Sequence, residues 1–283
     1  MRRIIISTES GADLPQDLAD KYAIQVVPMH VIMDGKDYFD GSLPVEHIYD
    51  YYERTKKIPS TAATNVHEYQ ELFAKIQADF PECVIVHIGY TSKASASFHS
   101  AVIASEEFEN LVLIDALNVT GGLAAIVLYA AALLEKEPSI ELERFIAKIE
   151  EAVPKSRLAF IPGSLDFLRA GGRVSNIAYL GGALLKIKPV IELIDGKLVS
   201  TKKYRGKMSA VAEKLIHEYL SEYNINRDQL YFIYSLGLDE SIKRRMDELA
   251  KEAGFENVRW IQAGAMISTH AGPGGFGIAG LER

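Results

Sequence analysis

Cys83-Val-Ile-Val-His-Ile-Gly-Tyr90 and Asn110-Leu-Val-Leu-Ile-Asp-Ala116 are the two stretches that decide the fold. Each is a short, nearly continuous apolar run rather than an alternating one, the pattern of a strand buried on both faces. Helical stretches follow them at about 94–107 and 119–134, and apolar strands alternating with helices imply a parallel sheet with crossover helices. Upstream, Arg3–Thr8 reads as a further strand. A helix is expected to open at Asp13-Leu-Pro15, with Asp13 as its N-cap and Pro15 in its first turn. Between them and the Cys83 strand, the runs 24–33 and 36–39 flank Asp34-Gly35, a strong hairpin signal.

The pattern changes after a helix at about 139–153, which ends at Pro154 and Lys155-Ser156-Arg157. Strands are expected near 157–161, 188–194, 197–204, 229–235 and 257–263, joined by an Asp195-Gly196 hairpin and by helices near 207–222 and 239–253. That arrangement suggests a mixed sheet covered by helices. The fold class is therefore α/β in two domains, 1–155 with a parallel sheet and 156–283 with a mixed sheet. There is no internal repeat and no low-complexity segment.

With 283 residues and 48% apolar content, the chain has enough material for a substantial core. The formal net charge of −7, without a clustered Lys/Arg excess, argues against nucleic acid as a partner. Cys83 is the single cysteine, so no intramolecular disulfide forms and a CxxC site is excluded; a reducing cytoplasm fits. The first apolar run is too short for a secretory signal, and Gly121–Leu134 is shorter than the ~20 residues that span a bilayer. A soluble protein without stable membrane insertion is expected, and any lipid it handles must be carried inside it.

The densest constellation is Ser164-Leu-Asp-Phe-Leu-Arg-Ala-Gly-Gly-Arg173-Val-Ser175, where a short helix ends on two glycines that release an arginine into a turn, followed by Leu185-Lys186-Ile-Lys188-Pro189-Val-Ile-Glu192. Arg173 is suited to pairing a carboxylate or phosphate bidentately. Thr61 in Pro59-Ser60-Thr61 follows a helix and Ser95 sits at a strand-to-helix turn, where hydroxyls and backbone N–H groups converge on an anion or simply cap helices. The segment 177–185 is apolar nearly all round and reads as a buried helix.

These blocks, together with Ile5-Ile6-Ser7-Thr8-Glu9-Ser10, Tyr38-Phe39-Asp40-Gly41, Thr91 to Ala101 and His270-Ala271-Gly272-Pro273-Gly274, resemble the DegV family along essentially the whole chain. Bacterial members of that family bind one long-chain fatty acid between two domains. The resemblance implies a lipid-binding protein, without a catalytic motif of its own, that presents the acyl carboxylate to a separate fatty-acid kinase. By the same resemblance Thr61 and Ser95 are head-group positions, Arg173 and His270 shape the charged mouth, and Arg205 in Lys203-Tyr204-Arg205 faces the partner. Ala62 and Ala96 stand at positions where the family usually has a hydroxyl and a glycine, and Glu9 where it usually has an aspartate. His270, flanked by glycine and proline, reads as a loop residue. The bound fatty acid is the only ligand implied; no metal or other cofactor is expected.

The rival reading is an α/β enzyme or sensor for a small anionic metabolite, with Arg173, Lys186 and Lys188 as a phosphate site. Other signals fail on context. Gly272-Pro-Gly-Gly-Phe-Gly277 fits G-x-G-x-x-G, but too few residues follow for a βαβ unit. No P-loop or G-x-S-x-G sequence occurs, and neither His67-Glu68 nor His217-Glu218 has a second histidine at zinc-helix spacing. Ser95 and His99, four residues apart, lack an orienting acid.

Overall fold

A parallel four-stranded sheet forms first in the chain. The computed structural model describes residues 3–176 and 187–283. Strand β1 (Ile4–Glu9) runs through a single 3-10 turn (Ser10–Ala12) to helix α1 (Gln16–Lys21) and β2 (Gln25–Val27). The hairpin β3 (His30–Met33) and β4 (Lys36–Phe39) follows, then α2 (Glu46–Thr55), β5 (Ser60–Ala62), α3 (Val66–Asp79), β6 (Val84–Gly89), α4 (Ser97–Ser105), β7 (Leu111–Asp115), α5 (Thr120–Lys136) and α6 (Leu142–Ala152). The order β2-β1-β6-β7 is parallel throughout, and β4-β3-β5 is a small antiparallel sheet beside it.

The remainder of the chain builds a six-stranded sheet. Its elements are β8 (Ser156–Ile161), α7 (Leu165–Gly171), β9 (Ile187–Ile194), β10 (Lys197–Arg205), α8 (Met208–Glu222), β11 (Ile225–Tyr234), α9 (Glu240–Glu252), β12 (Arg259–Gln262), α10 (Ala265–Ala271) and β13 (Phe276–Glu282). The order is β10-β9-β8-β13-β11-β12, antiparallel except for the β11–β12 pair, so the sheet is mixed.

Apolar patterning explains the layers. Ile5 and Ile85 face α3 and α4, where Tyr69 and Phe73 are fully buried, whereas Ile6, Val86 and Ile88 face α5. Helix α5 is apolar nearly all round because it packs on β1 and β6 of one sheet and on β8, β11 and β13 of the other, joining them in one continuous core. Helices α8 and α9 cover the outer face of the mixed sheet. Among the described residues, no helix is long and apolar enough to cross a membrane. The segment 177–185 and Lys186 lie outside the described residues.

Two expectations need correction, and one strand was not foreseen. Asp13 does not cap α1: it ends the preceding 3-10 turn with φ 52°, its N–H bonded to Ser10 O at 2.9 Å, and Pro15 holds the N-cap place. The Asp13 side chain is spent elsewhere, accepting from the Thr120 hydroxyl at 2.6 Å and from Gly264 N–H at 2.8 Å. His270 is not a loop residue but the penultimate residue of α10. Finally, the glycine run 272–277 leads into β13, which is paired on both sides with β8 and β11. Its glycines fit because close neighbours leave no room for side chains: a Cβ on Gly280 would stand 2.5 Å from Gln229 O.

Candidate ligand-binding cavity

Between the two sheets lies a cavity of about 600 Å³. Leu158, Phe160, Leu198, Ile233, Met266 and Phe276 make much of its wall apolar, while Thr61, Ser95, Arg173 and His270 supply polar groups. Volumes of roughly 300–1,000 Å³ with mostly apolar lining and a few placed polar groups are typical of small-molecule sites.

Thr61 is brought to the cavity by β5, which pairs with β3 through Val31, and its Oγ1 lies 2.9 Å from His270 Nε2. Burial, reinforced by the nearby Arg173 cation, lowers the His270 pKa to about 4, so the ring is neutral near pH 7. Its Nδ1 is buried and has no hydrogen-bond partner among the described residues. A buried N–H without an acceptor is rarer and more costly than an unused lone pair, which assigns the proton to Nε2. Nε2–H then donates to Thr61 Oγ1, and the Thr61 hydroxyl proton is free for the cavity.

Ser95 lies in the loop between β6 and α4, where its Oγ accepts from Ser97 N–H at 3.2 Å. Its own proton has no acceptor among the described residues, and Ser95 lines the cavity. Ala96 holds the N-cap place of α4 with φ −79° and ψ −7°, an ordinary conformation that does not demand glycine. Ala62 closes β5, and both alanines line the cavity.

Arg173 owes its place to the two glycines before it. Gly172 has φ 64° and ends α7, as the sequence pattern predicts, while Gly171 leaves room for the His270 ring. Arg173 Nη1 donates to Gly171 O at 2.6 Å. The following residues are laid along the edge of β10: Val174 bridges to Leu198, Ser175 N–H donates to Leu198 O at 3.0 Å, and Asn176 exchanges two hydrogen bonds with the Ser200 backbone at 2.9 and 2.8 Å. The hairpin tip is tied to the other sheet's loop through Thr91 Oγ1, which donates to Gly196 O at 2.8 Å.

Thr61, Ser95, Ala62, Ala96, Arg173 and His270 thus share one cavity wall system. Arg205 does not join them; it is exposed at the end of β10, outside the lining. Lys188 is also outside, with its Nζ donating to Gly163 O at 3.3 Å. Sequence reading passed over Tyr90 and Thr120, which line the cavity as well. Thr120 stands at φ 39°, unusual for a β-branched residue, held by its 2.6 Å bond to Asp13. The hydroxyl directly before Gly121-Gly122 at a helix start was the available signal. Ser95 and His99 make no hydrogen bond to each other among the described residues, and no group of three or more His, Cys, Asp or Glu there is placed to hold a metal ion.

Fold and cavity define an α/β protein with a largely apolar chamber between a parallel sheet and a mixed sheet. A family model described as "Uncharacterised protein, DegV family" matches residues 3–283. The chain belongs to the DegV family. It is 32% identical over 291 residues to a DegV domain-containing protein of Caldanaerobacter subterraneus subsp. tengcongensis, with all of both chains covered. It is 30% identical over 291 residues to a protein of Thermotoga maritima named a fatty acid-binding protein, covering 99% of each. Among solved structures, a DegV family protein from Thermus thermophilus, described by its fatty acid binding, superposes with TM-score 0.88 at 25% identity over 99% of this chain and 100% of the other.

Proposed function

We propose that this chain binds one long-chain fatty acid in the cavity between its sheets and presents the carboxylate to a separate fatty-acid kinase. The single observation that carries this reading is the cavity itself: about 600 Å³, largely apolar, with the Thr61 and Ser95 hydroxyls, a neutral histidine and the cations Arg173 and Lys93 in its lining. Each methylene removed from water contributes about 0.8 kcal/mol, so an acyl tail lying against Leu158, Phe160, Leu198 and Ile233 supplies ample affinity. The carboxylate must be met by donors on entering such a site, and Thr61 and Ser95 supply them while Arg173 balances the charge. The relatives named for fatty acid binding support the same ligand.

The division at 155/156 places Thr61, Ser95, Ala62 and Ala96 on the first domain and Arg173 and His270 on the second, with the ligand between. The chain has no nucleotide-binding motif, so the phosphoryl donor belongs to a partner, and exposed Arg205 is its docking residue in this reading. The protein acts as a carrier, not a catalyst. The anionic-metabolite alternative is weaker because the lining is largely apolar and Lys188 is turned to Gly163 O, away from Arg173's cavity.

Thr61→Ala combined with Ser95→Ala tests the assignment. The double variant is expected to lose about tenfold or more in a fluorescent fatty-acid displacement assay, with its unfolding midpoint nearly unchanged, because loss of one hydrogen bond to a charged group is worth ~1.5–3 kcal/mol. Unchanged affinity counts against the assignment.

A further inference from the structure

Behind the hydroxyl wall lies a buried cluster of hydrogen bonds around Glu9. Glu9 closes β1, and its carboxylate is inaccessible to solvent. Oε1 accepts from the Tyr69 hydroxyl at 2.6 Å and Oε2 from Tyr90 N–H at 2.8 Å, with His87 Nε2 3.5 Å from Oε1. Beside this cluster the Thr64 hydroxyl donates to Pro28 O at 2.8 Å. Ser97 Oγ in turn accepts from Thr64 N–H at 3.1 Å, and Ser97 N–H donates to Ser95 Oγ.

An ionised carboxylate has no proton to give, so Tyr69 must donate to it, while Thr64 N–H and Ser97 N–H donate to the Ser97 and Ser95 hydroxyl oxygens. Ser97 therefore ties the loop carrying Thr61 to the loop carrying Ser95, while Tyr90, held directly by Glu9, begins the second of these loops. Burial raises the Glu9 carboxyl pKa, but His87 and the Tyr69 and Tyr90 donors outweigh it and hold it below the ordinary value.

We propose that Glu9 is the positioning residue of the cavity's hydroxyl wall: its carboxylate holds α3 through Tyr69 and the start of the 90–97 loop through Tyr90 N–H, and the Thr64 N–H bond to Ser97 Oγ carries that hold to the loop at 61–64, so that Thr61 and Ser95 stand where they meet a ligand. A glutamine of the same shape cannot do this. If its oxygen faces Tyr90 N–H, its NH2 meets the Tyr69 oxygen and the Tyr69 hydroxyl loses its acceptor; if its oxygen faces Tyr69, its NH2 meets Tyr90 N–H donor to donor. Either way a buried donor loses its acceptor.

The proposal rests on the fatty-acid reading for the choice of probe. Wild type, Glu9→Gln, Glu9→Asp and Tyr69→Phe are compared by displacement of a fluorescent fatty acid, by thermal unfolding and by amide NMR of Thr64 and Ser97. Expected is a loss of about tenfold in affinity, equivalent to about 1.4 kcal/mol, for folded Glu9→Gln and for Tyr69→Phe, with recovery in Glu9→Asp, which keeps charge and acceptors. Wild-type affinity in Glu9→Gln or Tyr69→Phe, or no recovery in Glu9→Asp, overturns the proposal. Should Glu9→Gln fail to fold, Tyr69→Phe carries the test. Should wild type itself not bind the probe, the ligand reading fails, and the positioning role of Glu9 is judged on the amides: displaced in Glu9→Gln and restored in Glu9→Asp, or else refuted.

Discussion

Gly171→Ala sets two effects of opposite sign against each other. Gly171 is the last residue of α7, and a Cβ there would stand 2.2 Å from His270 Nδ1, with Cγ and Cε1 at 3.2 and 3.3 Å. Ordinary contact begins near 3.4 Å, so the ring must retreat, and retreat breaks its 2.9 Å bond to Thr61. Alanine in place of a helical glycine contributes about 0.5–1 kcal/mol of stability, whereas overpacking a filled site costs about 1–3 kcal/mol. The clash should win, lowering stability in denaturant unfolding by about 0.5–2 kcal/mol and weakening fatty-acid binding severalfold. A double-mutant cycle isolates the cause. With His270→Ala already in place the ring is gone, and Gly171→Ala should then stabilise by about 0.5–1 kcal/mol. Equal destabilisation in both backgrounds, or none in wild type, would refute this account of the glycine.

Further outcomes follow from the same geometry. The His270 ring should titrate by NMR with a midpoint near 4; because its folded pKa lies below the ordinary 6.5, its contribution to stability is full above 6.5 and is lost as pH falls toward 4, and a midpoint near 6.5 would contradict its burial. The Asp13 carboxyl has its pKa raised well above the ordinary 3.8 by burial and by Asp40, so its contribution is full below 3.8 and is lost as pH rises; Asp13→Asn, whose amide still serves Gly264 and Thr120, should gain melting temperature relative to wild type as pH is raised, and a constant difference would oppose this. Gly196→Ala at φ 77°, with Thr91 Oγ1 2.7 Å from the added Cβ, should destabilise by about 1 kcal/mol or more in thermal unfolding. Phe73→Ala, at a fully buried ring between α3 and the parallel sheet, should cost about 3–5 kcal/mol in denaturant unfolding.

The parallel strands were legible because β6 and β7 are apolar runs closed on both faces, and the two Asp-Gly hairpins because their turn residues all adopt positive φ: Asp34 and Gly35 at 50° and 75°, Asp195 and Gly196 at 48° and 77°. Strand β13 was not, since Gly277 and Gly280 mimic a turn and their reason lies in Phe160 and Gln229, far away in sequence. Likewise Asp13 looks like a cap until its partners Thr120 and Gly264 are known. The site divides in the same way. Thr61, Ser95, Arg173 and His270 stand in quotable motifs, whereas Glu9 and Tyr69 gain meaning only through contacts 60 residues or more apart. Contacts of that kind leave no local pattern.

The most direct measurement is mass spectrometry of an organic extract of the purified protein, alongside native mass spectrometry of the intact chain. A single long-chain fatty acid at close to one per chain, present without any being added, is the predicted result. A lipid-free protein that also takes up no added fatty acid would contradict the central claim.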